Sequence, residues 1–146
     1  MSAAETPSKS AATAHLKMVS PEFAVPDVAA SAEYYRDVLG FRILGYFLDP
    51  PAYAMVGRDD VVIHLGKSDK GASPSPNVAR REIGLDAYVW VSDVHALHAE
   101  LQGRGARILE APVLRAYKCL EMVVEDNCKF RLAFSQDLSG GEGQAP

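Results

Sequence analysis

The stretch Val25-Pro-Asp27-Val28-Ala-Ala-Ser-Ala32-Glu-Tyr-Tyr35-Arg-Asp-Val-Leu39-Gly40-Phe41 decides the fold, because its two ends return later as Val91-Ser-Asp93-Val94 and Gly105-Ala-Arg-Ile-Leu109. Asp27 and Asp93 lie 66 residues apart, and Gly40 and Gly105, each opening a Gly-x-Arg-Ile-Leu run, lie 65 apart. Two matched anchors in the same order mark an internal repeat. Each aspartate reads as a helix N-cap, since a short carboxylate accepts the free N–H groups of a first turn at the positive end of the dipole. Each glycine reads as the left-handed stop. Between them Val28, Ala32, Tyr35 and Leu39, and then Val94, Leu97 and Leu101, recur at helical spacing as one apolar stripe per copy.

Working outward, strand-like segments flank each helix. Val19 to Val25 precedes the first, and Phe41 to Leu48, Ala52 to Val56 and Val61 to Leu65 follow it. Leu85 to Val91 precedes the second, and Ala106 to Glu110, Lys118 to Val124 and Phe130 to Phe134 follow, separated by Pro, Asp and Asn turn signals. The unit is βαβββ, used twice. The expectation is an α+β fold in which two such modules build a curved mixed sheet with a concave cleft.

The 146 residues suffice for one domain, read as residues 17–136, with module one at about 18–67, a Ser/Pro-rich linker at 68–83 and module two at about 84–136. Residues 1–16 and 137–146 are small, polar or glycine-rich and read as disordered tails. A net charge of -4 and the lack of a basic block argue against nucleic acid as a partner, and no apolar run approaches the length of a membrane span. The first residues lack the apolar stretch of a secretion signal, and Cys119 and Cys128 are too few for a disulfide framework. A soluble, cytoplasmic protein with reduced thiols is expected.

The segment Val25 to Phe41, with its helical Tyr and terminal Leu-Gly-Phe, resembles the first signature of the vicinal oxygen chelate superfamily: glyoxalase I, extradiol dioxygenases, fosfomycin-resistance and bleomycin-resistance proteins. Tyr88 to Ala106 resembles the second signature. Tyr117 to Gln136 resembles the closing hairpin of single-domain, bleomycin-resistance-like members. Two departures stand in that hairpin: Tyr117-Lys118 where the family has Tyr-Gly, and Asp126-Asn127-Cys128-Lys129 where it has Asp-Pro-Asp-Gly. Losing the glycine implies a changed turn or a strained one.

The resemblance also implies four metal-ligand positions on the concave face, which fall on Ser20, His64, Asp86 and Ala133. Alanine donates no electron pair and a neutral serine hydroxyl donates poorly, so the family's ligand set is incomplete. Strand alternation brings Glu22 to the face of Ser20, leaving Glu22, His64 and Asp86 as a possible triad for a divalent metal. By the same alternation Tyr88 and Trp90 join Asp86, and Arg131 joins Ala133. Glu121 either lines the cleft or pairs with Arg115 at its rim.

Aromatic walls with carboxylate and guanidinium handles suit a planar or cationic organic molecule. Tyr88 and Trp90 equally suit a dimer interface. The leading expectation is a bleomycin-resistance-like protein that binds and sequesters a small cationic or aromatic compound as a homodimer, with no cofactor and no catalytic residue. The binding residues are then Ser20, Glu22, His64, Asp86, Tyr88, Trp90, Glu121 and Arg131. The alternative is a metal-dependent glyoxalase-type lyase or dioxygenase using Glu22, His64 and Asp86.

Overall fold

The computed structural model describes residues 12–140, so the outermost parts of both expected tails, 1–11 and 141–146, lie outside the described residues. Residues 12–21 have no regular structure, and the first strand, β1 (Glu22–Val25), begins just after Pro21. The expected start at Val19 is therefore three residues early. Proline has no N–H to give a ladder, although the Pro21 carbonyl already accepts from His64 N at 2.9 Å.

Module one continues with α1 (Val28–Asp37), β2 (Arg42–Phe47), β3 (Tyr53–Arg58) and β4 (Val61–Lys67). Module two repeats it as β5 (Ala87–Trp90), α2 (Val94–Gly103), β6 (Arg107–Leu114), β7 (Cys119–Glu125) and β8 (Arg131–Asp137). Each module makes its own four-stranded mixed sheet, ordered β1-β4-β3-β2 and β5-β8-β7-β6. In each, the first strand pairs parallel to the last and the other ladders are antiparallel. The linker is not featureless, since Asn77–Ala79 forms a single 3-10 turn.

The anchors act as the sequence requires. Asp27 accepts from Ala30 N and Asp93 from Ala96 N, each at 3.0 Å. Gly40 and Gly105 take φ values of +77° and +82°. The stripes are buried, with Val28, Ala32, Tyr35 and Leu39 inside for α1 and Val94 and Leu101 inside for α2, while Leu97 is half-buried. β6 runs four residues past its expected end despite Pro112. It is an outer strand, and its register with β7 shifts between Glu110 and Val113, where a missing donor is tolerated.

In the closing hairpin the left-handed conformation survives the loss of glycine. Lys118 has φ +61° and Lys129 has φ +71°, so the turn keeps its geometry and lysine carries the strain. Asp126 organises this turn, its Oδ1 accepting from Cys128 N at 2.8 Å and Phe130 N at 2.9 Å.

The same turn joins the modules. Its Asp126 Oδ2 accepts from the buried Tyr35 hydroxyl of α1 at 2.7 Å, Phe130 stacks on Phe23 of β1 with ring centroids 4.4 Å apart, and Asn127 meets Ser31. Arg58 of β3 adds a bidentate bridge to Glu100 of α2 at 3.0 and 2.7 Å. One hydrophobic core spans both modules, running from Phe23, Tyr35 and Leu65 to Leu101, Met122 and Leu132. Cys119 and Cys128 are free and sit in different surroundings, Cys119 buried beside the Tyr117 carbonyl and Cys128 half-buried beside Ser31.

Candidate functional site

Alternation along the strands sorts side chains into a core face and an open face. On module two Ala87, Val89, Leu132, Phe134, Met122 and Val124 face the core, which turns Tyr88, Trp90, Ala133, Ser135, Glu121 and Val123 to the other side. On module one the open face carries Glu22, His64, Tyr53 and Met55. A cleft of about 460 Å³ lies between the modules, bordered by Met18, Val19 and Pro21 of the N-terminal segment, Val62 of β4, and Tyr88 and Trp90 of β5.

Module two holds its aromatic residues around a buried carboxylate. Glu121 Oε1 accepts from the Tyr88 hydroxyl and, at 3.0 Å, from the Tyr117 hydroxyl, while Oε2 accepts from Arg115 Nε at 3.3 Å. Arg115 also pairs with Glu110. Of the two roles left open by the sequence, Glu121 takes the pairing with Arg115, from a buried place on the open face. With three donors already on it, Glu121 fixes the aromatic residues rather than offering a charge to a ligand. Burial first, and then the Glu121 carboxylate, push the Tyr88 phenol well above its usual range, while the Ser135 hydroxyl works in the opposite direction. Tyr88 and Trp90 remain 39% and 38% exposed with ring centroids 5.1 Å apart, so they form a shelf that a second ring can reach.

Module one carries a different cluster. The Tyr53 hydroxyl donates to Glu22 Oε2 at 2.6 Å and lies 2.8 Å from His64 Nδ1. The Glu22 carboxylate is the main reason that the Tyr53 phenol is pushed up to about 12. Glu22 itself is exposed.

The registers relate the two clusters. Glu22 pairs with His64 as Tyr88 pairs with Ala133, and Tyr53 pairs with Gly66 as Glu121 pairs with Ser135. The phenol and the carboxylate have thus exchanged strands between the copies: the tyrosine is on the third strand in module one and on the first in module two. In each case the bridge passes over a small residue of the last strand. A Cβ on Gly66 would meet the Tyr53 ring at 3.3 Å, which shows how little room the bridge leaves.

Of the expected ligand positions, Glu22 and His64 come together through Tyr53, but Asp86 is spent on the backbone. Its carboxylate accepts from Asn77 N at 2.8 Å and Arg131 N at 2.9 Å, fastening the linker and β8. Ser20 is half-buried ahead of β1, and Ala133 is fully buried. Among the described residues no three His, Cys, Asp or Glu side chains are grouped to hold a metal, so the donors do not fit the family's cation and Glu22, His64 and Asp86 do not form a triad. Arg131 does not face the cleft freely either, since its Nε meets the buried Glu125 at 3.4 Å.

Tyr53 escaped the sequence reading because its role depends on cross-strand register, and Tyr117 because it reaches Glu121 from the turn ahead of β7, outside any strand pattern. Aligning the third strands of the two copies, which sets Tyr53 against Glu121, is the signal that finds the first of them.

The profile of the Glyoxalase/Bleomycin resistance protein/Dioxygenase superfamily matches residues 14–134, and the chain belongs to that superfamily. Among solved structures it is similar to a glyoxalase/bleomycin resistance protein/dioxygenase from Nocardioides, with 17% identity, 93% of each chain covered and a TM-score of 0.64. It is likewise similar to the bleomycin resistance determinant encoded on transposon Tn5, with 17% identity, 84% of this chain and 98% of that chain covered and a TM-score of 0.64. A glyoxalase-related enzyme from Clostridium phytofermentans gives 14% identity, 85% and 97% coverage and a TM-score of 0.67. At these identities the likeness is one of fold. No curated protein sequence gives a significant match. Among the described residues no helix is long and apolar enough to cross a membrane.

Proposed function

We propose that this protein binds a small planar organic molecule in the groove and sequesters it without transforming it, in the manner of a bleomycin-resistance protein. The observation that carries this reading is the exposed Tyr88–Trp90 shelf, held in place by a buried Glu121 that has no remaining need for a counter-ion. Stacking on such a shelf favours aromatic or cationic rings. The available negative handles are the exposed Asp60 at the cleft wall and Glu22 beside it, since Glu121, Asp86 and Glu125 are satisfied within the protein. In this reading the protein uses no resident cofactor and works in the cytoplasm.

A second copy of the chain is the proposed partner. Leu44 and Phe47 on the outer strand β2, Met55 on the adjoining β3, and Leu109, Val113 and Leu114 on the outer strand β6 are exposed, and exposed apolar side chains grouped on a sheet suit a protein–protein surface. Sedimentation equilibrium at micromolar concentration is expected to give twice the chain mass.

Titration of a bleomycin-type drug, followed through Trp90, the only tryptophan, is expected to give saturable quenching, with Tyr88→Ala weakening it about tenfold, on the order of 1.4 kcal/mol. Absence of heat in calorimetry together with chelator-sensitive turnover of the methylglyoxal–glutathione adduct would instead establish the metal-dependent alternative.

A further inference from the structure

The Glu22–Tyr53–His64 cluster contains one phenolic proton and two groups that could receive it. An ionised carboxylate only accepts, and Glu22 Oε2 stands 2.6 Å from the Tyr53 oxygen, so the phenolic proton lies on that contact. The 2.8 Å contact between Tyr53 and His64 Nδ1 then needs its proton from the imidazole. A neutral His64 is therefore protonated on Nδ1 and carries its lone pair on Nε2. No described residue hydrogen-bonds Nε2. His64 lies on the open face of β4, two residues from Val62 at the cleft wall, a step of about 7 Å along the strand. The equivalent position in module two is Ala133, which offers no polar atom, so the imidazole has no counterpart on the side of the aromatic shelf.

We infer that the Glu22–Tyr53 bridge locks His64 in the Nδ1–H form and leaves Nε2 as a hydrogen-bond acceptor on the open face of β4, beside the groove bordered by Pro21 and Val62, selecting planar ligands that carry a hydroxyl or ring N–H donor and extend past that wall. This rests on the groove being the binding site. It deepens that reading by specifying the ligand class: a ring system, wide enough to reach from the shelf to β4, of the phenol or azole type. Tyr53 is a positioning residue, acting through His64 and not on the ligand.

Two measurements test it. The first needs no ligand. Long-range proton–nitrogen correlation spectra of the nitrogen-15-labelled protein, taken with chelator at pH 8 and assigned with a His64→Gln variant, are expected to show His64 with its proton on Nδ1. In Tyr53→Phe the proton is expected to move predominantly to Nε2, as in a free histidine. Finding the Nε2–H form in the unmodified protein, or no change in Tyr53→Phe, overturns the inference.

The second measurement is calorimetry with 2-naphthol and 2-methoxynaphthalene, which differ only in the donor. Naphthol is expected to bind about tenfold more tightly, and Tyr53→Phe is expected to erase the difference while leaving the methoxy compound's affinity unchanged. Equal affinity of the two probes in the unmodified protein overturns the inference. If neither binds, the groove reading fails, and the ring tautomer still decides whether Nε2 is the acceptor.

Discussion

Tyr35→Phe isolates the bond that ties α1 of module one to the closing hairpin of module two. The phenol is fully buried, and its hydroxyl donates to Asp126 Oδ2 at 2.7 Å. Phenylalanine keeps the ring and its edge contact with Phe41, so the loss is confined to that hydrogen bond. Asp126 is 4% exposed and keeps its two amide donors on Oδ1, but Oδ2 is left without one. Removing a donor from a buried charged acceptor costs about 2 kcal/mol, a fall in melting temperature of roughly 4–8 °C for a chain of this size.

The cost depends on pH. Burial raises the Asp126 pKa above its ordinary 3.8, so the folded state holds this proton more tightly than the unfolded one. The stability linked to that proton is full below 3.8 and is lost as pH rises through the folded value. Removing the Tyr35 donor raises that value further, because the ionised form loses support. The gap between the two proteins is therefore expected to be smallest, about 1 kcal/mol, in the most acidic buffers and to widen toward neutral pH. Urea denaturation from pH 3.5 to 7 measures it. A gap below about 0.5 kcal/mol at pH 7, or one that narrows as pH rises, would refute the reasoning.

Other consequences can be checked in the same protein. Lys118→Gly and Lys129→Gly relieve positive φ values of +61° and +71° and are each expected to stabilise by up to about 1 kcal/mol in urea denaturation. Gly40→Ala places a methyl group 2.7 Å from Arg58 Nη1 and 2.8 Å from Glu100 Oε2 at φ +77°, and should cost about 2 kcal/mol by disturbing the intermodule ion pair as well as the turn. Glu121→Gln removes the charge that opposes Tyr88 ionisation, so the phenol should titrate at lower pH in ultraviolet difference spectra, though still above an ordinary tyrosine because burial persists.

The repeat, both helices and the eight strands are legible in the sequence because each rests on local rules: a carboxylate cap, a left-handed stop, and apolar periodicity of the helix or strand. The superfamily follows from the same motifs. So does the identity of most open-face residues, since alternation alone places Glu22, His64, Tyr88 and Trp90. What each of them does there was decided by contacts across strands and between modules, which no local pattern encodes. Asp86 shares the alternation of Tyr88, yet two backbone amides claim its carboxylate. Glu121 looks like a charge for a ligand until Tyr88, Tyr117 and Arg115 are found to satisfy it. Tyr53 acquires its role only when register sets β3 beside β4 and β4 beside β1. Sequence determined the scaffold and the face each residue occupies; tertiary structure decided which polar atoms are already spent and which, like His64 Nε2, have no partner among the described residues, because hydrogen bonds are allotted by distance in space and not by separation along the chain.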